Sequence, residues 1–77
     1  MEDSSIVDLY LARDERAICE TDGKYGKKLY SISHRITENG ADAEECVSDT
    51  YLDAWNRIPP HEPRAYLFAF LARIVRA

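Results

Sequence analysis

The chain has 77 residues, of which 45% are hydrophobic and only three each are glycine and proline, and it carries a formal net charge of −4. That length allows one small domain around a single core, and that composition excludes disordered and collagen-like chains. No apolar run approaches the roughly 20 residues needed to cross a bilayer, and the acidic start MEDSS is unlike a secretory signal, so the sequence reads as cytoplasmic with no membrane partner.

No segment alternates apolar and polar residues long enough to make a strand, so the predicted fold is all-α, a small bundle of three to four helices spanning residues 1–77. A short first helix is capped by Ser4 or Ser5 and turns Ile6, Leu9 and Tyr10 inward. A longer second helix runs from about Asp14 to Thr37 with Ile18, Tyr25, Leu29, Ile32 and Ile36 as its apolar stripe. Gly23 and Gly26 each cost about 1 kcal/mol inside a helix, which predicts a break or kink near residues 22–26. Asn39 and Gly40 both tolerate a left-handed backbone and make a stop. The third helix starts on Asp42 and Glu45 as a capping pair. Its inward face is Ala43, Cys46, Val47, Thr50, Tyr51, Ala54, Trp55 and Ile58. Pro59 and Pro60 end it, since neither offers a backbone N–H. A fourth helix restarts near Pro63 and buries Leu67, Phe70, Leu71 and Ile74.

Chemistry is sparse. Cys19, His34, Cys46 and His61 lack the close pairs that zinc modules use, and both cysteines read as reduced, buried or half-buried thiols. No glycine-rich phosphate loop, nucleophile elbow or Cys–His pair is present, so neither enzyme activity nor a cofactor is expected. The acids from Asp42 to Glu45 read more simply as a solvated helix start than as a metal or acid–base cluster.

Charge is laid down in blocks. Residues 1–22 hold seven acids and two bases, 23–37 hold four bases and no acid, and 38–53 hold six acids and no base. The remainder carries Arg57, Arg64, Arg73 and Arg76 against Glu62 alone. Such blocks suit an acidic face for a basic protein and a basic face for phosphate. On the third helix Glu44, Glu45, Ser48, Asp49, Leu52, Asp53 and Asn56 lie off the apolar stripe. A leucine among carboxylates is a docking anchor, although one exposed leucine by itself carries no meaning. On the fourth, Arg64, Arg73 and Arg76 accompany Tyr66, Phe68 and Phe70. Arginines meet phosphates and rings stack on unpaired bases, with Tyr66 and Phe68 the expected exposed rings. The plainer alternative makes Phe70, Leu71 and Ile74 core and the arginines solubilising.

Taken together, D-A-E-E-C-V-S-D-T-Y-L-D-A-W-N from Asp42 to Asn56, the Pro-Pro that follows, and Y-L-F-A-F-L-A-R-I-V-R from Tyr66 to Arg76 resemble region 2 of the sigma-70 family. The run from Leu9 to Ile18 and K-Y-G-K-K-L-Y around Tyr25 are similar to its extracytoplasmic-function (ECF) branch. The resemblance implies a helical domain that binds the clamp helices of the RNA polymerase largest catalytic subunit and melts and reads the promoter −10 element. Glu45, Ser48, Asp49, Leu52 and Asn56 match its polymerase-binding face. His61, in the Pro59–Pro63 loop, matches a loop that holds a flipped base of the non-template single strand. Arg64, Tyr66, Phe70, Arg73 and Arg76 match its melting and DNA-contact helix. Flipping a base costs a few kcal/mol, which stacking and arginine–phosphate contacts offset. An anti-sigma factor is a further implied partner.

The sequence departs from the family pattern where Ala77 replaces a usual asparagine and Phe70 a common tryptophan, and the Pro-Pro-His-Glu-Pro loop is short. By the same comparison the chain stops just inside the DNA-reading helix, and the −35-reading domain is absent. The competing reading is a helical protein-interaction module that docks polymerase or an anti-sigma factor without reading DNA. Salt separates the two, because binding to several phosphates weakens steeply with added salt.

Overall fold

The computed structural model describes residues 1–77 as four helices and no strand: α1 (Asp3–Leu11), α2 (Arg16–Thr37), α3 (Gly40–Arg57) and α4 (Leu67–Arg76). α2 is the central element and packs against the other three, while α3 and α4 also pack on each other. The core is continuous across all four. α1 contributes Ile6, Val7 and Tyr10, α2 Ala17 and Leu29, α3 Val47, Tyr51 and Ala54, and α4 Leu67, Leu71 and Val75, with Ile58 closing one end.

α1 begins one residue before the expected serine caps. Glu2 holds the N-cap position without a side-chain bond, and Ser4 and Ser5 lie within the helix. Val7 rather than Leu9 joins Ile6 and Tyr10 in the core. The helix ends in a left-handed residue, Arg13 at φ 57°, with Arg13 N–H donating to Tyr10 O and Asp14 N–H to Leu9 O. That pair of bonds is the Schellman arrangement, here without the usual glycine.

α2 is continuous through Gly23 and Gly26, so the helix has no break at residues 22–26. A Cβ at Gly23 would meet nothing within 4 Å, whereas one at Gly26 would fall 2.5 Å from Asp22 Oδ1. Gly26 thus leaves room for the Asp22 carboxylate, which accepts a 2.7 Å bond from the Tyr51 hydroxyl and ties α2 to α3. The inward face of α2 also differs from the apolar stripe. Ala17, Thr21, Leu29 and Ser33 are buried, Ile18, Tyr25 and Ile32 are half-buried, and Ile36 is 57% exposed. Two inward positions are polar because each finds a partner. Thr21 Oγ1 donates to Ala17 O and bonds the Tyr10 hydroxyl at 2.8 Å, and Ser33 Oγ donates to Ala43 O. Satisfied in this way, a buried hydroxyl escapes the desolvation cost of an unpaired one.

At the α2–α3 junction the left-handed residue is Glu38 at φ 55°, not Asn39 or Gly40. Asn39 is the N-cap of α3, its side chain accepting from Asp42 N–H at 3.1 Å. The expected Asp42–Glu45 capping pair is therefore not the cap: the helix starts one turn earlier, Asn39 accepts from Asp42 N–H, and Asp42 lies in the first turn. The inward face of α3 is close to the expected one. Ala43, Val47, Thr50, Tyr51 and Ala54 are buried, with Cys46 and Trp55 half-buried, and Cys19 on α2 is exposed.

α4 starts at Leu67, four residues later than expected, with Pro63 buried in the preceding loop. It buries Leu67, Leu71, Ala72 and Val75, leaving Phe70 and Ile74 half-buried.

Candidate functional site

Helical geometry sorts α3 into two faces. At about 100° per residue, Glu45, Ser48, Asp49, Leu52 and Asn56 fall within an arc of about 100° opposite the buried stripe. All five are exposed, Leu52 at 58%. The sequence-based docking set therefore forms one strip. Its two flanks differ in chemistry. On one side a groove of about 310 Å³ runs between α3 and α4, walled by Asp42, Glu45, Asp49 and Asp53 and by Ile74 and Val75. On the other, Leu52 borders an apolar hollow of about 410 Å³ with Trp55 and with Ile18 and Cys19 of α2. Ile18 and Cys19 were not singled out as site residues, since only packing brings the start of α2 beside α3.

Trp55 is held in a defined pose at the edge of this hollow. The Tyr10 ring meets it edge-on at 6.2 Å between centroids, and the Arg13 guanidinium lies 4.1 Å over its face. The same guanidinium nitrogen donates at 2.8 Å to the carbonyls of Trp55 and Ile58, serving two of the acceptors that the end of α3 leaves free. No sequence signal links Arg13 to residues 42 and 45 positions away.

Next to the carboxylate-walled groove, and sharing Ile74 and Ala77 with it, the loop after α3 and one face of α4 form a cleft of about 470 Å³. His61, Tyr66, Phe70 and Arg73 line it, joined by Arg57, which the sequence reading left aside. The His61 and Phe70 rings are 5.8 Å apart, and Tyr66 is 52% exposed. Arg73 and Arg76 are exposed and make no ion pair, with Arg76 outside the cleft lining; Arg57 pairs weakly with Asp53 at 3.4 Å. The cleft therefore combines rings with one unpaired cation, Arg73, and a weakly paired one, Arg57, the residue types that can stack on an unstacked base and meet its phosphate.

Two expected members are placed elsewhere. Phe68 points to α2, where its ring lies 5.2 Å from Tyr25 and 5.8 Å from Lys28 Nζ. It helps to form a shallow basic groove of about 380 Å³ with Lys27, Lys28 and Arg35. Arg64 is engaged with α1 instead of lining the cleft. It donates to Ser4 O at 3.0 Å and Ser4 Oγ at 2.9 Å and pairs with Asp8 at 2.7 Å and Glu62 at 3.4 Å. The Asp8 bond and charge push its already high pKa further up.

The N-terminus is fastened in a similar way. Lys24 Nζ donates to Asp3 at 2.7 Å and the Tyr25 hydroxyl donates to the same carboxylate at 2.8 Å. Partial burial alone would raise the Asp3 pKa, but these bonds and the Lys24 charge together lower it. No group of three or more His, Cys, Asp or Glu side chains is arranged to hold a metal ion, and no helix is long and apolar enough to cross a membrane.

The chain matches the family model described as Sigma-70 region 2 over residues 23–77. No curated protein and no solved structure matches it. α1 and the first turns of α2, including the Leu9–Ile18 run, lie outside the matched span.

Proposed function

Starting from the chain's membership of the sigma-70 region 2 family, whose domains serve transcription initiation by binding RNA polymerase and recognising the promoter −10 element, we propose how this domain divides that work between its faces. The exposed strip of Glu45, Ser48, Asp49, Leu52 and Asn56 docks the clamp helices of the largest catalytic subunit. The cleft of His61, Tyr66, Phe70 and Arg73, with Arg57 beside it and Arg76 on the adjoining surface, takes the non-template single strand as the promoter opens. The domain contributes binding energy, and polymerase performs the chemistry.

The observation that carries this reading is the strip on α3, where an exposed leucine lies between a carboxylate-walled groove and an apolar hollow. Acidic groups of this kind steer a basic partner and fix its register, and the leucine with Trp55 supplies desolvated contact. In the cleft, stacking contributes about 1–3 kcal/mol per base, comparable with the few kcal/mol that flipping costs. The ECF branch and an anti-sigma partner belong to the same proposal. An anti-sigma factor would act by covering the strip.

Calorimetric binding of the polymerase clamp-helix segment tests the docking face. Asp49→Lys should weaken it by more than the ~1 kcal/mol of an exposed pair, and an unchanged dissociation constant would remove Asp49 from the interface. Arg73→Ala and Arg76→Ala should weaken single-stranded DNA binding without unfolding the domain. Unaltered DNA binding would favour a docking module that does not read DNA.

A further inference from the structure

Arg64 sits three residues after His61 and two before Tyr66, the two rings that the loop contributes to the cleft. Its side chain is turned away from that cleft and fixed to α1 by Ser4 O, Ser4 Oγ and Asp8 Oδ1. The loop's other anchors are backbone bonds and packing. Pro63 is buried, His61 N–H donates to Arg57 O at 3.0 Å, Arg64 N–H to Glu62 O at 2.8 Å and Tyr66 N–H to Pro63 O at 3.3 Å, Tyr66 O accepts from Phe70 N–H at 2.9 Å, and the His61 ring lies 5.8 Å from that of Phe70. Of the loop side chains from Pro59 to Tyr66, only those of Glu62 and Arg64 make hydrogen bonds or ion pairs, and Glu62 reaches no farther than Arg64.

The electrostatics around Arg64 also argue against a phosphate contact. Two carboxylates, Asp8 and Glu62, stand within 3.4 Å of one guanidinium, so the immediate surroundings carry excess negative charge. A phosphate approaching there meets repulsion as well as attraction, whereas Arg73 and Arg76 offer unpaired cations.

The geometry points to Arg64 as a positioning residue. It braces the Pro59–Tyr66 loop against α1, so that His61 and Tyr66 are already in place when the single strand arrives. The effect on DNA binding rests on the strand-capture reading above; the brace itself does not. α1 lies outside the span matched by the family model, and in this chain it acquires the task of holding the recognition loop. Ordering the loop before binding reduces the entropy lost on binding.

Asp8→Asn and Arg64→Lys, made in the full chain, test this. Both replace exposed or half-exposed side chains conservatively, and circular dichroism checks that the fold is kept. The first readout is amide hydrogen exchange at His61 and Tyr66. The second is anisotropy of a labelled single-stranded mixed-sequence DNA oligonucleotide across a salt titration. A brace requires faster exchange in both variants and binding weakened about two- to fivefold, the range of an exposed ion pair, with an unchanged salt slope.

Asp8→Asn is the sharper variant, because removing a negative charge should tighten DNA binding if charge alone mattered. Tighter binding by Asp8→Asn would overturn the proposal. So would Arg64→Lys behaving as the parent while Arg64→Ala lowers the salt slope by about 0.7, the signature of one lost single-strand phosphate contact. If the parent protein binds no oligonucleotide, the strand reading fails, and the exchange data decide the brace alone: faster exchange supports it and unchanged exchange overturns it.

Discussion

Replacing Arg13 with alanine should be among the most damaging single changes outside the core. Its guanidinium makes two 2.8 Å bonds to the carbonyls of Trp55 and Ile58, and it covers the Trp55 ring at 4.1 Å. Each bond contributes about 1 kcal/mol, the low figure being appropriate because one is exposed and the other only part-buried. The cation–π contact adds about 0.5–1 kcal/mol at a site of this exposure. Arg13→Ala should therefore cost about 2–3 kcal/mol, a large share of the roughly 3–5 kcal/mol that a domain this small commands. In melting temperature that is about 10–20 °C.

The backbone supplies an internal control. Arg13 sits at φ 57°, where alanine is as strained as arginine but glycine is not. Arg13→Gly loses the same side-chain bonds and regains about 1 kcal/mol, so it should be more stable than Arg13→Ala. Urea unfolding followed by the fluorescence of Trp55, the sole tryptophan, measures both. An Arg13→Ala variant within about 0.5 kcal/mol of the parent, the scale of an ordinary surface change, would refute the capping role. A glycine variant less stable than the alanine variant would refute the argument from the left-handed backbone.

Further outcomes follow from the same structure. Gly23→Ala should stabilise the domain by about 1 kcal/mol, because nothing lies near the added methyl group, whereas Gly26→Ala should gain little since it displaces the Asp22 carboxylate from Tyr51; thermal melts of the pair check the contrast. Glu38→Gly should raise the melting temperature, since glycine relieves a left-handed position worth about 1 kcal/mol. Burial, then the bond to Asp22, pushes the Tyr51 hydroxyl well above its usual pKa. Its raised folded-state pKa means that the stabilising contribution is full below about pH 10 and is lost above it, as the unfolded tyrosine ionises first. Urea midpoints of Tyr51→Phe should fall less steeply there than those of the parent. Asp3 has the opposite sign: its lowered pKa supplies stability above about pH 4 that disappears as the pH drops further, and Asp3→Asn should flatten the acid limb.

The sequence carried the class of fold and the exposed strip of α3 for one reason: α3 has an almost unbroken 3.6-residue pattern. Once Ala43, Val47, Tyr51 and Ala54 face inward, Glu45, Asp49, Leu52 and Asn56 must face out. Pro59 and Pro60 ended that helix by their own covalent chemistry. The face of α2 was less legible because Thr21 and Ser33 are buried by virtue of partners on other helices, and hydropathy cannot foresee a hydrogen bond across helices. Its continuity through two glycines likewise follows from packing against three neighbours, which outweighs a weak local propensity.

The cleft beside α4 was half legible. Local sequence put rings and arginines near α4, but only the return of the loop after α3 sorted His61, Tyr66, Phe70 and Arg73 into the cleft, Phe68 onto Tyr25 and Arg64 onto α1. Arg13 had no readable role, and Arg64, expected among the DNA contacts, is bound to α1 instead, since each acts on residues more than forty positions away. Local periodicity determined which residues could face solvent. Which arginines remain free for a ligand, and which are bound within the protein, was decided by the packing that brings distant carbonyls and carboxylates within reach.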